Sequence, residues 1–183
     1  MKKLIISSIL ILSMLFLSSC FIGGSRTDML NNSSDEENAR TRMEAIFEAL
    51  KNQDKEALKE MFSEQALSDA EDFDGNLDNL FVFFQGEFDS WEKITGLNVF
   101  ESNDHGHVTK EVNTSFYLYT DKQKYYISLK DFPVDTDHPE NVGLYLLLVV
   151  KAEDRLKIYD GEQKIMFDGN IKIPRAGIYI PFE

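Results

Sequence analysis

Between Gly86 and Trp91 the hydrophobic period of this chain changes, and that change restricts the fold more than any other feature. Upstream, apolar residues recur three and four apart: Ala39, Met43, Ile46, Phe47 and Leu50, then Ala57, Leu58, Met61 and Phe62, then Leu77, Leu80, Phe81 and Phe84. Such spacing gathers side chains on one face of a helix. Downstream, Val108, Val112, Phe116 and Leu118 share one parity, and Thr109, Glu111, Asn113, Ser115, Tyr117 and Tyr119 share the other. That is the pattern of a half-buried strand. Helices first and strands afterwards do not build the alternating units of a parallel α/β sheet. The order predicts an α+β domain, with N-terminal helices packed on a curved antiparallel sheet.

Local signals divide the chain further. Ser34-x-x-Glu37 reads as a capping box for the first helix, Asp54 as the cap of a second, and Ser63 as the start of a short third through Leu67 and Ala70. Asp72-Phe73-Asp74-Gly75-Asn76 reads as a turn. Asn103-Asp104-His105-Gly106 and Asp121-Lys122-Gln123-Lys124 read as hairpin turns, with Tyr125, Ile127 and Leu129 continuing the apolar face. Asp135 to Glu140, with Pro139, is a loop. Val142 to Val150 is apolar at both parities, which suits a strand covered on both sides. Glu153-Asp154 turns the chain into Leu156–Tyr159, and a last strand is expected within Ile171 to Ile180. The expected sheet is a meander of four to six antiparallel strands.

The N-terminus has its own logic. Lys2 and Lys3 precede an apolar run from Leu4 to Leu17, and Leu17-Ser18-Ser19-Cys20 follows as a lipoprotein processing site. The run is shorter than the ~20 apolar residues that a spanning helix needs. Residues 1–19 are therefore expected to be a signal peptide, with Cys20 as the site of lipid attachment. Two acyl chains hold a protein stably on a bilayer where one does not. The expected location is extracytoplasmic, on the membrane of a monoderm bacterium. Residues 20–34, rich in Gly, Ser and Asn, read as a flexible tether, and residues 35–183 as a single domain. Cys20 is the only cysteine, so the mature domain is expected to fold without a disulfide.

The formal net charge is −13. Nucleic-acid binders carry a cationic stripe, and a polybasic patch is what draws a protein to anionic headgroups. Neither is present. The charge favours plain solubility over an acidic recognition surface.

Several stretches resemble a family of uncharacterised bacterial lipoproteins: ALKNQDKEALKEMFSEQAL, FQGEFDSW, ESNDHGHVTKEVN, DTDHPENVGLYLLLVVKAED and AGIYIP. That family is assigned to the nuclear-transport-factor-two-like superfamily, the cone-shaped, cystatin-like α+β fold that ketosteroid isomerase and polyketide cyclases share. The resemblance implies a cone fold and a cell-surface setting. It implies no reaction, because this fold hosts enzymes, binders and scaffolds alike.

No chemical motif stands clear of a structural reading. Asp72-x-Asp74-Gly75 fails as a calcium loop: with Gly75 at the sixth position, Ala70 and Phe81 occupy the two obligatory ligand positions. His105 and His107 fall at a hairpin tip, and His138 in an acidic loop, so surface histidines are expected rather than a metal site. There is no mature thiol, no Gly-x-Ser-x-Gly elbow and no phosphate-cradling loop. Asp72, Asp74 and Asp89 are the acids nearest to aromatic residues, and no catalytic residue is assigned. Neither a metal nor a cofactor is expected.

The expected role is non-catalytic binding of a small apolar or amphipathic ligand, or of a surface protein. Trp91, Asp74, Phe84, Phe116 and Tyr125 are the expected ligand-binding residues. The alternative is an isomerase or dehydratase using a pocket carboxylate or His. Strand alternation adds one more expectation. With Phe116, Ile127, Leu146 and Ile158 pointing inward, Tyr117, Tyr119, Tyr126, Tyr145 and Tyr159 point outward with Leu147 and Val149. Tyrosine is enriched at interfaces, so this outer face is expected to support a homodimer.

Overall fold

The structure, a computed structural model, describes residues 23–94, 96–158, 167–168, 171–174 and 176–180, with side chains described from 34 to 156 and from 176 to 180 apart from 95. Residues 1–19, read above as a signal peptide, lie outside the described residues with Cys20 and Tyr159, as does the side chain of Ile158. The chain divides into two compact units, Met1–Arg40 and Thr41–Glu183. In the first, the described residues form the opening part of helix α1 (Gly23–Asn52). The stretch read as a tether thus carries helix from Gly23, and Ser34 lies within it. Starting a helix is its costly step, whereas each added residue gains a hydrogen bond.

In the second unit, α1 contributes Met43, Ile46, Phe47, Ala49 and Leu50, all buried. Helix α2 (Lys55–Glu60) is capped by Asp54, which accepts from the Ala57 N–H. Helix α3 (Glu64–Asp69) is capped by Ser63, which accepts from the Ala66 N–H. Helix α4 (Phe73–Phe83) opens where the sequence suggested a turn. Asp72 is its N-cap, with φ at 49° and its carboxylate accepting from the Gly75 N–H. The cap satisfies a donor that would otherwise be orphaned and outweighs the weak helix propensity of Gly75 and Asn76. A Cβ on residue 75 would sit 2.3 Å from Asp72 Oδ2, so the glycine makes room for that cap.

The strands are β1 (Phe88–Lys93), β2 (Asn98–Asp104), β3 (His107–Thr120), β4 (Lys124–Asp135), β5 (Gly143–Lys151), β6 (Phe167–Asp168), β7 (Ile171–Pro174) and β8 (Gly177–Tyr179). Long β3 takes β2 along its first half and β1 along its second. Strands β4, β5 and β8 follow in order, giving a six-stranded sheet that does not close. Its pairings are antiparallel except the last: β8 runs parallel to β5, with Leu147 opposite Ile178. A parallel partner needs a crossover of a dozen or more residues, which the chain between β5 and β8 supplies. Strands β6 and β7 form a separate pair.

Where Leu156–Tyr159 was expected to follow a simple turn, Ala152–Ile158 forms a 3-10 helix. Arg155 ties this segment to the sheet. Its Nη1 donates to Tyr117 Oη at 3.0 Å, and its guanidinium lies 4.9 Å from the Tyr126 ring centre.

The alternation expected for β5 needs correction. Lys130 pairs with Leu146 but Asp131 with Leu144, so Tyr145 is an extra residue in a β-bulge. The bulge reverses parity along the strand. Leu144, Leu147 and Val149 pack with the helices, whereas Leu146, Leu148 and Val150 pack with Tyr126 on the opposite face. Phe116 and Ile127 face the helices as expected.

The start of β5 is stitched to the helices by backbone. Ser63 N–H donates to Leu144 O at 3.0 Å, and Leu144 N–H to Met61 O at 2.8 Å. Gly143, at φ 132°, allows this approach: a Cβ there would stand 2.8 Å from Ser63 N.

Candidate functional site

Helix α4 buries Leu77 and Leu80 in the core and turns Asn76, Asn79, Val82 and Phe83 toward a cleft of about 720 Å³. The first, second and last of these lie three and four residues apart, one stripe of the helix. The facing wall comes from the sheet. Tyr125 on β4 pairs across to Lys151 on β5, and Ile178, Tyr179 and Ile180 extend the wall along β8 and beyond its end. Lys122 and Gln123 close one end from the β3–β4 turn, and Glu71 and Asp72 close the other.

The cleft mixes apolar and polar character. Val82 is 77% exposed, the most exposed large aliphatic on α4, and with Phe83, Ile178 and Ile180 it gives a greasy lining. Asn76, Asn79, Gln85 and Gln123 supply hydrogen-bonding groups. The volume lies in the ~300–1,000 Å³ range of small-molecule sites, and the lining is more polar than is usual for them, with Glu71, Asp72, Lys122 and Lys151 beside the amides.

Tyr125 shapes the floor. Its ring is buried, lies 4.9 Å from Phe84 and meets Phe83 edge-on at 5.7 Å. Its hydroxyl accepts the Gln85 N–H at 2.8 Å and donates to Phe83 O at 3.2 Å. Burial raises the phenol's pKa above its ordinary value, against the Gln85 N–H that lowers it. Through these two bonds the tyrosine ties the end of α4 to the sheet.

The structure separates the five residues expected to bind ligand. Tyr125 lines the cleft, and Phe84 lines a smaller one of about 380 Å³ near Leu50, Phe81 and Phe88. Trp91 and Phe116 meet each other at 5.5 Å, and both meet Phe47, at 5.7 and 6.5 Å respectively. Phe116 is in the core and Trp91 packs against it, and neither lines either of these clefts. Asp74 is exposed and 2.5 Å from Lys59 Nζ, outside both clefts. Lys122, Lys151, Val82 and Ile178 went unassigned. Lys151 had a signal: it is the charge that ends the apolar run of β5.

Among the described residues, the acids that line the cleft are Glu71 and Asp72. Glu71 and Asp72 are exposed, and Asp72 is engaged as the α4 cap. Asp89 is also exposed and accepts from Ser90 Oγ at 3.1 Å. Asp131 is the buried acid of the helix-facing side. It holds Arg42 Nε at 3.1 Å, and burial raises its pKa against the lowering pull of that guanidinium. Asp131 Oδ1 and Thr114 Oγ1 are buried without a hydrogen-bond partner among the described residues.

Among the described residues, no group of three or more His, Cys, Asp or Glu is placed to hold a metal ion. His105 sits against Asp104, His107 against Asp137 and His138 against Glu140, all exposed. No described helix is long and apolar enough to cross a membrane.

The face opposite the helices differs from the expected tyrosine patch. Tyr126 is only 3% exposed, packed beside Tyr117 at 6.2 Å and hydrogen-bonded to Ser115 Oγ at 2.9 Å. The chain itself covers it, so it offers nothing to a second copy. Tyr117 and Tyr119 are half-buried, with Lys124 Nζ 3.7 and 4.6 Å from their ring centres. Tyr145, at the bulge, packs edge-on against Phe132 at 5.8 Å.

These features define a class: an α+β domain whose helices pack on an open, mostly antiparallel sheet, with a mixed cleft between its last helix and one end of that sheet. The chain belongs to the family of the domain of unknown function DUF5104, whose profile matches residues 45–152, more than half of the sequence. No curated protein matches it.

Proposed function

We propose that this protein is a membrane-tethered, extracytoplasmic binder that takes one small amphipathic molecule in the cleft between α4 and the sheet. The observation that carries this reading is the cleft itself: about 720 Å³, lined by Val82, Phe83 and Ile178 with amide side chains around them. The lack of a prepared acid or His on the described lining favours binding over isomerase or dehydratase chemistry. The finer fold reading, a nuclear-transport-factor-two-like cone, is supported by the order of helices and strands and by a cleft framed by helix and sheet.

The anchoring reading rests on Lys2, Lys3, the apolar run and Cys20. Replacing Cys20 with Ala should leave the chain unprocessed or release it from the membrane fraction. Processed, membrane-bound protein in that variant contradicts it.

The cleft is tested by photolabelling the full chain in phosphatidylcholine vesicles with an uncharged dodecyl glycol that carries a diazirine near its tail. Labelling should saturate and map to peptides bearing Val82, Phe83 and Ile178. Asn79→Trp, an exposed position on α4, should fill the cleft and abolish it. Labelling that does not saturate, or that survives Asn79→Trp, contradicts the proposal.

A further inference from the structure

We infer that the ligand's polar end is anionic and is met by Lys122 and Lys151; this rests on the cleft being the binding site. In so acidic a chain, cations find carboxylates easily. Among the described residues, Lys51, Lys55, Lys59, Lys110, Lys124 and Lys130 each stand within ion-pair distance of one. Lys93 also has a partner. Lys122 and Lys151 have none among the described residues, and both line the same cleft. Two cations on one cleft without an ion-pair partner among the described residues, in a chain of net charge −13, are a departure from how every other described lysine is used.

The placement gives the cleft a direction. Lys122 stands on the β3–β4 turn. That turn lies against the C-terminal end of α4, because Thr120 Oγ1 donates to Gln85 O at 2.9 Å. Lys151 is beside Tyr125 on the neighbouring strand, and the Tyr125 hydroxyl reaches Gln85. Both lysines therefore gather at that end. Glu71 and Asp72 precede the other end of α4, an 11-residue helix and so roughly 16 Å long at ~1.5 Å per residue. Charges separated by more than ~8 Å in physiological salt scarcely feel one another. An anion at the lysine end is thus little opposed by the acids at the far end. Val82, Phe83 and Ile178 offer apolar surface for a chain. The ligand class that fits is a single-chain amphiphile with a carboxylate or phosphate head.

The experiment photolabels the full chain in phosphatidylcholine vesicles with diazirine dodecyl probes that differ only in their heads: carboxylate, phosphate, trimethylammonium and the uncharged glycol. The two anionic probes should label cleft peptides about tenfold more strongly than the cationic one, the difference expected of one charge-assisted contact. Whichever anionic head labels better distinguishes a fatty-acid-like from a phospholipid-like source. In Lys122→Gln/Lys151→Gln the anionic preference, read as the ratio of anionic to cationic labelling, should vanish. If the glycol labels the cleft but head charge makes no difference, or the double variant keeps the preference, the anionic inference is overturned and the binding reading stands. If no probe labels the cleft, both are overturned.

Discussion

Tyr125, anchored in the sheet, accepts the backbone N–H of Gln85 at 2.8 Å and so fastens the chain leaving α4 to the floor of the cleft. The same hydroxyl donates to Phe83 O, so one side chain holds the backbone on either side of Phe84. Tyr125→Phe keeps the buried ring and removes only these bonds. Leaving a part-buried N–H unsatisfied costs about 1–3 kcal/mol. Urea unfolding should show a lowered midpoint with an unchanged m-value. An unchanged midpoint would show that the hydroxyl carries no part of the fold.

Arg42 and Asp131 join α1 to β4 through a pair at 3.1 Å that is only slightly open to water. Burial raises the native pKa of Asp131 above the unfolded value, so the native state binds the proton more tightly than the unfolded one. The contribution of Asp131 to stability therefore falls as pH rises through the window above the ordinary carboxylate value. Arg42→Leu removes the compensating charge and should raise that pKa further. At pH 7 the loss should approach the lower end of the ~3–5 kcal/mol seen when one partner of a buried pair is removed. At pH 4.5, where the carboxyl can take a proton, the loss should shrink. Chemical denaturation at the two pH values measures this, and an equal loss at both contradicts it.

His107, on the first residue of β3, sits against Asp137 in the loop after β4. The hydrogen bond to Asp137, then its charge, raises the His107 pKa above 6.5. A raised cationic pKa contributes stability that is fully present below the unfolded value and is lost as pH rises through the native one. Titration by NMR should find His107 above 6.5, and Asp137→Asn should bring it down. An identical titration in the variant would show that the pair does not form.

Gly143→Ala should be among the costliest small substitutions in the protein. It combines an unfavourable φ of 132° with a Cβ 2.8 Å from Ser63 N, where the Ser63–Leu144 hydrogen bond closes. Backbone strain alone costs about 1–3 kcal/mol. A thermal scan should show a clear drop in Tm, while Gly106→Ala, with nothing near its Cβ, should cost less. Equal effects would deny the close approach at Gly143.

The helices-then-strands order was legible because Met43, Ile46, Phe47 and Leu50 repeat at helical spacing and Val112, Phe116 and Leu118 at two. Asp54 and Ser63 announced their helices because capping is local chemistry. The first turn of α4 was not legible, because Asp72-Phe73-Asp74-Gly75-Asn76 has the composition of a turn and becomes helix only through its cap. The faces of β5 were hidden for a related reason. An all-apolar run carries no parity, and the bulge at Tyr145 shows only in the register, where Leu146 pairs with Lys130 and Leu144 with Asp131. The cleft lay further out of reach, since Ile178 meets Leu147 through a parallel pairing distant in sequence. Nothing in the sequence tells that Trp91 and Phe116 pack together against Phe47, because the three lie on separate elements.

The central claim, that the cleft between α4 and the sheet takes an apolar chain, is met most directly by methyl NMR of the isotope-labelled full chain. Dodecyl glycol is added in steps below its micelle concentration. The methyl signals of Val82, Ile178 and Ile180 should shift saturably and together, while those of Ile46 and Ile127, buried in the core, stay in place. No shift at Val82, Ile178 and Ile180, or shifts confined to Ile94 on the opposite face, would contradict the account.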